Sequence, residues 1–304
     1  MFARLANGNV APERVIEGQA TRLSRTMHGI AYDEVRDEIV IPVALSGAIL
    51  VFRGDAQGEA APVRVIQGTK TGLIRPHTVA VDTTNGEIIA ADPSSRALLV
   101  FPRDASGDVA PTRIISGPKT LLLDIVGVAV DPIRNVIVAS SRAGKGATGI
   151  MVFDRLANGD VPPRAYIGGP NSRLAHFRQL AIDPGTGNIF LAQQRTRYKR
   201  MEAYVLNKPR EGFREEESDE SDFGKLTQTG FIAVYAPDDT GDIPPRAIIK
   251  GPGIRHAGAG GVALDPRTGE IVAVGGNGIS TYLLPEFFRL LRKPGPPANA
   301  TGSP

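Results

Sequence analysis

The sequence contains no cysteine. Disulfide bonds, thiolate catalysis and cysteine-ligated zinc are therefore excluded. Charge imbalance is also small: 35 Lys and Arg against 32 Asp and Glu leave a formal net charge of +3. Such a balance carries no expectation of binding to nucleic acid or to a charged membrane. The longest apolar run, from Ile39 to Phe52, is interrupted by Pro42, Ser46 and Gly47. It is too short to span a bilayer. The segment Met1-Phe2-Ala3-Arg4-Leu5-Ala6-Asn7-Gly8 lacks the continuous apolar stretch of a secretion signal. This reading places the protein in the cytoplasm, or outside it if the chain is a processed form. No helical periodicity separates the apolar runs, which disfavours alternating strand–helix units. There is no Gly-x-Ser-x-Gly, no His-Glu-x-x-His and no dinucleotide fingerprint. Gly144-Lys145-Gly146 lacks the spacing and the hydroxyl residue of a phosphate loop.

What the chain does contain is repetition. An aspartate closing an apolar run recurs at Asp33, Asp82, Asp131, Asp183 and Asp265, with separations of 49, 49, 52 and 82 residues. A glycine series, Gly8, Gly58, Gly107, Gly159 and Gly241, gives 50, 49, 52 and 82. Two independent markers thus share one period, the signature of a repeat architecture. One repeat is about 30 residues longer than the rest. The extra residues fall between Gln194 and Gly230 and include the run Arg214-Glu-Glu-Glu-Ser-Asp-Glu-Ser-Asp222. Such a run reads as a solvated loop or an interaction surface.

Each repeat holds four short runs rich in Val, Ile and Leu. In one unit they are Thr78-Val-Ala-Val-Asp82, Glu87-Ile-Ile-Ala-Ala91, Ala97-Leu-Leu-Val-Phe101 and Arg113-Ile-Ile-Ser116. Turn residues separate them, and the 35 glycines and 24 prolines of the chain suit many short strands joined by turns. The first pair is a hairpin, its turn reading Asp82-Thr-Thr-Asn-Gly86 and, later, Asp265-Pro-Arg-Thr-Gly269. Asp caps such a turn, Pro fixes φ and Gly supplies a positive φ. Four antiparallel strands repeated radially make a β-propeller, an all-β fold.

The run ending in Asp occurs five times, and so does the Arg-x-Ile run starting at Arg14, Arg64, Arg113, Arg164 and Arg246. The last unit has no Arg-x-Ile run after it, whereas Arg14–Glu17 has no unit before it. Joining the two closes a ring of five blades, the N-terminal strand completing the final sheet beside Ser280–Leu284. The propeller then spans residues 1–284, with 198–229 inserted in the fourth blade. Residues 285–304 form a tail, a short helix and then a flexible Pro-rich stretch.

The phrases GIAYD…EIVIP (from Gly29), TVAVD…GEIIAAD…ALLVF (from Thr78) and GVALD…GEIVAV (from Gly261) resemble the NHL-repeat family and related bacterial propellers over about residues 2–284. The resemblance implies a propeller, with six blades as the alternative count. The units here are longer than that family's, and Asp92 alone matches its aspartate after the second strand.

A residue identical in every blade reads as scaffold. That covers the five Arg-x-Ile arginines, expected to pair with a blade-edge acid or carbonyl, and the five turn aspartates. Function is sought where the repeats differ. In propellers the first strand of each blade lines the central channel, and its leading end faces the channel mouth. Alignment on the aspartates puts His28, His77, Val126, Arg178 and Gly260 in one register there. Two residues earlier come Thr26, Arg75, Asp124, His176 and Gly258. All four histidines of the chain, His256 included, fall at or near these positions.

Three readings stay open. Neutral imidazoles of His28 and His77 can hold a divalent metal. The resemblance adds that an NHL-type lyase carries zinc on histidines in similar positions, but it needs a third histidine where Val126, Arg178 and Gly260 stand here. Calcium, which lactonase-like propellers bind through acidic and amide side chains, finds only Asp124. Alternatively His28, Arg75, His77, His176 and Arg178 form a pocket for a small anionic ligand. Or these residues are polar groups that line the mouth. The expected function is a non-enzymatic binding or structural module whose partner is a protein or a small anion. It needs no cofactor unless the divalent metal is bound. A propeller hydrolase or lyase is the alternative.

Overall fold

A computed structural model describes residues 1–24, 27–142, 148–174, 177–193, 230–250, 259–275 and 278–288. Its sheets follow the repeats. The first blade comprises β1 (Ala31–Asp33), β2 (Glu38–Val43), β3 (Ala48–Arg53) and β4 (Arg64–Ile66). The second has β5 (Thr78–Asp82), β6 (Glu87–Asp92), β7 (Ala97–Pro102) and β8 (Arg113–Ser116). In the third are β9 (Ile125–Asp131), β10 (Val136–Ser141), β11 (Gly149–Asp154) and β12 (Ala165–Gly168). The fourth has β13 (Phe177–Ile182), β14 (Ile189–Gln193), β15 (Phe231–Tyr235) and β16 (Ala247–Ile249). The fifth has β17 (Ala259–Asp265), β18 (Glu270–Gly275) and β19 (Gly278–Leu283). Strands are antiparallel and adjacent in chain order within every sheet. The fold is a five-bladed β-propeller, not the six-bladed one that the resemblance favours. Among the described residues no helix is long and apolar enough to cross a membrane.

Strands two and three of the second, third and fourth blades are covered on both faces by neighbouring blades, and those of the first by the second blade and the N-terminal segment. Their sequences are therefore apolar without alternation, as in sheets buried on both sides. Ile39–Val43 and Ala48–Phe52 are buried along their whole length. Phe52, Phe101, Phe153 and Tyr235 take the same place at the end of strand three in four blades, each at most 1% exposed. Burying one such ring contributes roughly 1.5–3 kcal/mol. Apolar clusters join blade one to two, two to three, three to four and four to five.

The turn aspartates act as the sequence suggests. Asp33 Oδ1 accepts from the backbone N–H of Val35 and Arg36, Asp82 Oδ1 from Thr84 and Asn85, and Asp131 Oδ1 from Ile133 and Arg134, all at 2.9–3.0 Å. The Arg-x-Ile arginines are scaffold as well. Arg64 grips Glu38 through two hydrogen bonds of 2.6 Å, and Arg113 grips Glu87 at 2.7 and 2.9 Å. In blades three and four the second strand follows Asn135 or Asn188 instead of starting at a glutamate. Arg164 and Arg246 accordingly turn to Asp154 and Asp239.

The fourth strands of the first three blades also bridge to the recurring glycine of the next blade: Ile66 to Gly107, Ile115 to Gly159 and Ile167 to Gly241. Ile16 bridges to Gly58 in the same way. Arg14 donates to the carbonyl of Gly54 at 2.7 Å, as Arg64 does to Arg103 and Arg113 to Arg155. Toward the first blade, then, the N-terminal segment stands as the missing fourth strand, and Ile16 and Leu23 pack on that blade's open face. Toward the fifth blade its attachment is narrower. Arg4 pairs with Glu270 at 2.8 Å, but no ladder joins Arg14–Glu17 to β19 among the described residues. The physical reason is local: Glu13 donates its N–H to the carbonyl of Met1 at 2.9 Å. The corresponding bond elsewhere runs from Val63 to Val51 of strand three. Met1 thus fills the place that β19 was expected to take.

The fourth blade closes across its insertion, because β14 and β15 pair in register from Ile189–Tyr235 to Gln193–Phe231. The inserted residues 198–229 lie outside the described residues, as does the tail beyond Phe288. Before that point Pro285–Phe287 form a single 3-10 turn. The rings of Phe287 and Phe288 sit 6.0 and 5.9 Å from that of Phe190, fastening this stretch to the fourth blade.

Candidate functional site

The first strands of all five blades converge on the axis. Ile30, Thr78, Val128, Gln179 and Val262, one from each blade, line a cavity of about 70 Å³. That is room for a handful of waters. One or two residues nearer the mouth, the register contains His28, His77 and Arg178.

The backbone there is held from the second strands. Asp92, fully buried at the end of β6, accepts from the N–H of Ile74 and Arg75 at 2.7 Å each. Its other oxygen accepts from Ser94 and Ser95 at 2.9 and 3.0 Å. Ser141 does the same for Leu123 and Asp124 in the third blade, at 3.1 and 3.2 Å. The isolated Asp92 of the sequence is therefore a brace for the stretch that presents Arg75 and His77.

His28 and His77 face each other from neighbouring blades, their ring centroids 4.4 Å apart and the planes tilted by 38°. Burial depresses the basicity of His28, and the charges of Arg178, Arg75 and Arg142 add to the effect. His77 is pushed down to about 4, first by burial and then by His28, with Asp124 opposing. Both rings are consequently neutral at pH 7. Arg178 is itself depressed by burial and by Arg142, again against Asp124. Arg142 pairs with Asp124 at 3.1 Å. Arg75 is exposed and has no ion pair among the described residues.

The structure thus brings His28, Arg75, His77 and Arg178 to one mouth. His176 and His256 lie outside the described residues. Val126, in the same register, is buried. Among the described residues no three His, Asp or Glu side chains gather as metal ligands. The two neutral imidazoles remain competent donors, and a metal held by them would need its other ligands from elsewhere.

Two members escaped the reading of the sequence. Arg142 follows the last residue of β10, and a second strand ends at the same mouth where the first begins. Alignment on the first strands alone overlooks it. Gln179 lies one residue beyond the aligned register. Its Nε2 donates to the carbonyl of His28, reaching from the fourth blade to the first. A Cβ added at Gly261 would stand 2.7 Å from Gln179 Oε1, and one at Gly29 3.2 Å from Nε2. Glycine in the first and fifth blades is what lets this one long side chain cross the axis.

No profile of a known protein family matches the chain, and no curated protein matches it in sequence. The propeller stands on its strands and their pairing. The narrower likeness to NHL repeats rests on the shared phrases alone.

Proposed function

We propose that this propeller is a non-enzymatic binding module whose channel mouth takes a small anion. The observation that carries the reading is the convergence of Arg75, Arg142 and Arg178 on the neutral pair His28 and His77, with Asp124 the one carboxylate that acts on them among the described residues. A guanidinium free of an ion pair, such as Arg75, is suited to a carboxylate or phosphate oxygen through charge-assisted hydrogen bonds. The imidazoles supply further polar contacts without charge repulsion. Burial, with a smaller contribution from the flanking cations, holds both rings in their neutral form, which disfavours an acid role for them at neutral pH.

Calorimetric titration with acetate, sulfate and inorganic phosphate tests the reading. At least one should bind, and Arg75→Ala should weaken it about tenfold or more, the range for a hydrogen bond to a charged group. Excess EDTA should leave binding unchanged. If none of the three anions binds, the reading falls. The contact of His28 with His77 favours a second reading, a metal-dependent hydrolase or lyase. It calls for zinc binding that His28→Ala together with His77→Ala abolishes.

A further inference from the structure

The floor of the mouth points to what the anion carries besides its charge. Gln179 sits directly beneath the rim, its Nε2 engaged by the His28 carbonyl. Its Oε1 accepts no hydrogen bond among the described residues and is not one of their fully buried unpartnered atoms, so it is open to the axial space. At the same level Thr78 carries a buried hydroxyl without a partner. The surrounding first-strand positions are Gly29, Gly127 and Gly261, which contribute backbone and no side chain. Below lies a cavity of about 70 Å³. An apolar group pressed onto this floor would leave the carboxamide oxygen without a partner, at a cost typical of an unmet buried acceptor. A hydrogen-bond donor would satisfy it.

We infer that the ligand is a compact hydroxy- or amino-carboxylate, its anionic end at Arg75 and its donor on Gln179 Oε1, with Gln179 as the residue that sets specificity. This rests on the anion-binding reading and narrows it. A ligand of this class is short: Arg75 starts three positions above Gln179 in the aligned register, but its charge reaches both histidines, one position above the floor, and the cavity has room for only a few heavy atoms. Size and a single donor, rather than an extended apolar surface, are then what the site selects.

Three probes of equal charge test the inference on the intact protein. Acetate has no donor, glycolate adds one, and methoxyacetate keeps the oxygen but blocks the donor. Glycolate should bind about tenfold more tightly than either of the others, the scale of one well-made hydrogen bond. Gln179→Met, which keeps length and removes the carboxamide, should erase that preference while acetate binding persists. Gln179→Glu should weaken all three, because it sets a carboxylate beneath a carboxylate. Unfolding curves for both variants establish that they fold, and the wild-type ranking stands without them. Equal affinities for glycolate and acetate would overturn the assignment of Gln179 and leave anion binding intact. If Arg75-dependent binding of any anion is missing, the reading beneath it fails as well.

Discussion

Arg155 of the third blade donates to Glu87 of the second at 2.9 Å, on a carboxylate that Arg113 of the second blade already holds. Both arginines and the glutamate are at most 15% exposed. Burial pushes the Glu87 carboxyl up, but the hydrogen bonds from Arg113 and Arg155 outweigh it and hold the group below its ordinary range. The pairing therefore stabilises the fold above the unfolded carboxylate pKa and is lost as pH falls. Glu87→Ala leaves two guanidinium groups side by side without their anion. It should cost roughly 2–4 kcal/mol, read as a lower denaturation midpoint. Removing Arg155 as well should recover part of that loss; full additivity would show that the two are not coupled.

Deletion of residues 1–17 should expose the first blade. Ile16 and Leu23 pack there, and the Ile16–Gly58 bridge satisfies its edge. An uncovered strand edge invites pairing with other chains. The truncated protein should melt several degrees lower and elute partly as aggregate in size-exclusion chromatography. Unchanged melting and a monomeric profile would show that the segment contributes nothing to closing the ring.

Replacing residues 198–229 by a short glycine-containing turn should leave the melting temperature within a few degrees. The strands on either side already pair as far as Gln193 and Phe231, and Gln193 donates to the carbonyl of Arg173 at 2.7 Å. A collapse of the fold would mean that the insertion is part of the core. Loss of a binding activity with the fold intact would mark it as a docking surface.

The histidine pair makes the fold sensitive to acid. His77 is at about 4 in the folded protein and near 6.5 when unfolded. Between these values the unfolded chain takes up a proton that the folded one refuses, so stability declines as pH falls from about 6.5 to about 4. For a half-buried ring, with solvent screening allowed for, the total is roughly 1–2 kcal/mol. Denaturation at pH 7 and pH 5 should show roughly half of this difference or more, and His77→Asn should flatten it. An equal slope in the variant would assign the acid sensitivity to other groups.

Blade number was legible because two residues recur for backbone reasons. Asp33 and its counterparts cap a turn, and Gly58 and its counterparts meet the previous blade, so neither can drift. The arginines were legible for the same reason. That His28 and His77 stand at one mouth was legible from register, since equal distance from a fixed aspartate means equal depth along the axis; that their rings meet was not. The attachment of the N-terminal segment was not, because the sequence does not reveal that Met1 pairs with the chain's own turn back. Arg142 and Gln179 were missed because their positions depend on how neighbouring strands end, a property of three-dimensional pairing that no one-dimensional alignment contains.

The bond from Gln179 to the carbonyl of His28 has a consequence for traffic. With a side chain lying across the axis, a molecule at the rim meets the carboxamide before it reaches the cavity among the first strands. On the anion-binding proposal, arrival and departure would then compete for the same opening. A bulky blocker at Arg75 would trap a bound ligand as effectively as it excludes a new one.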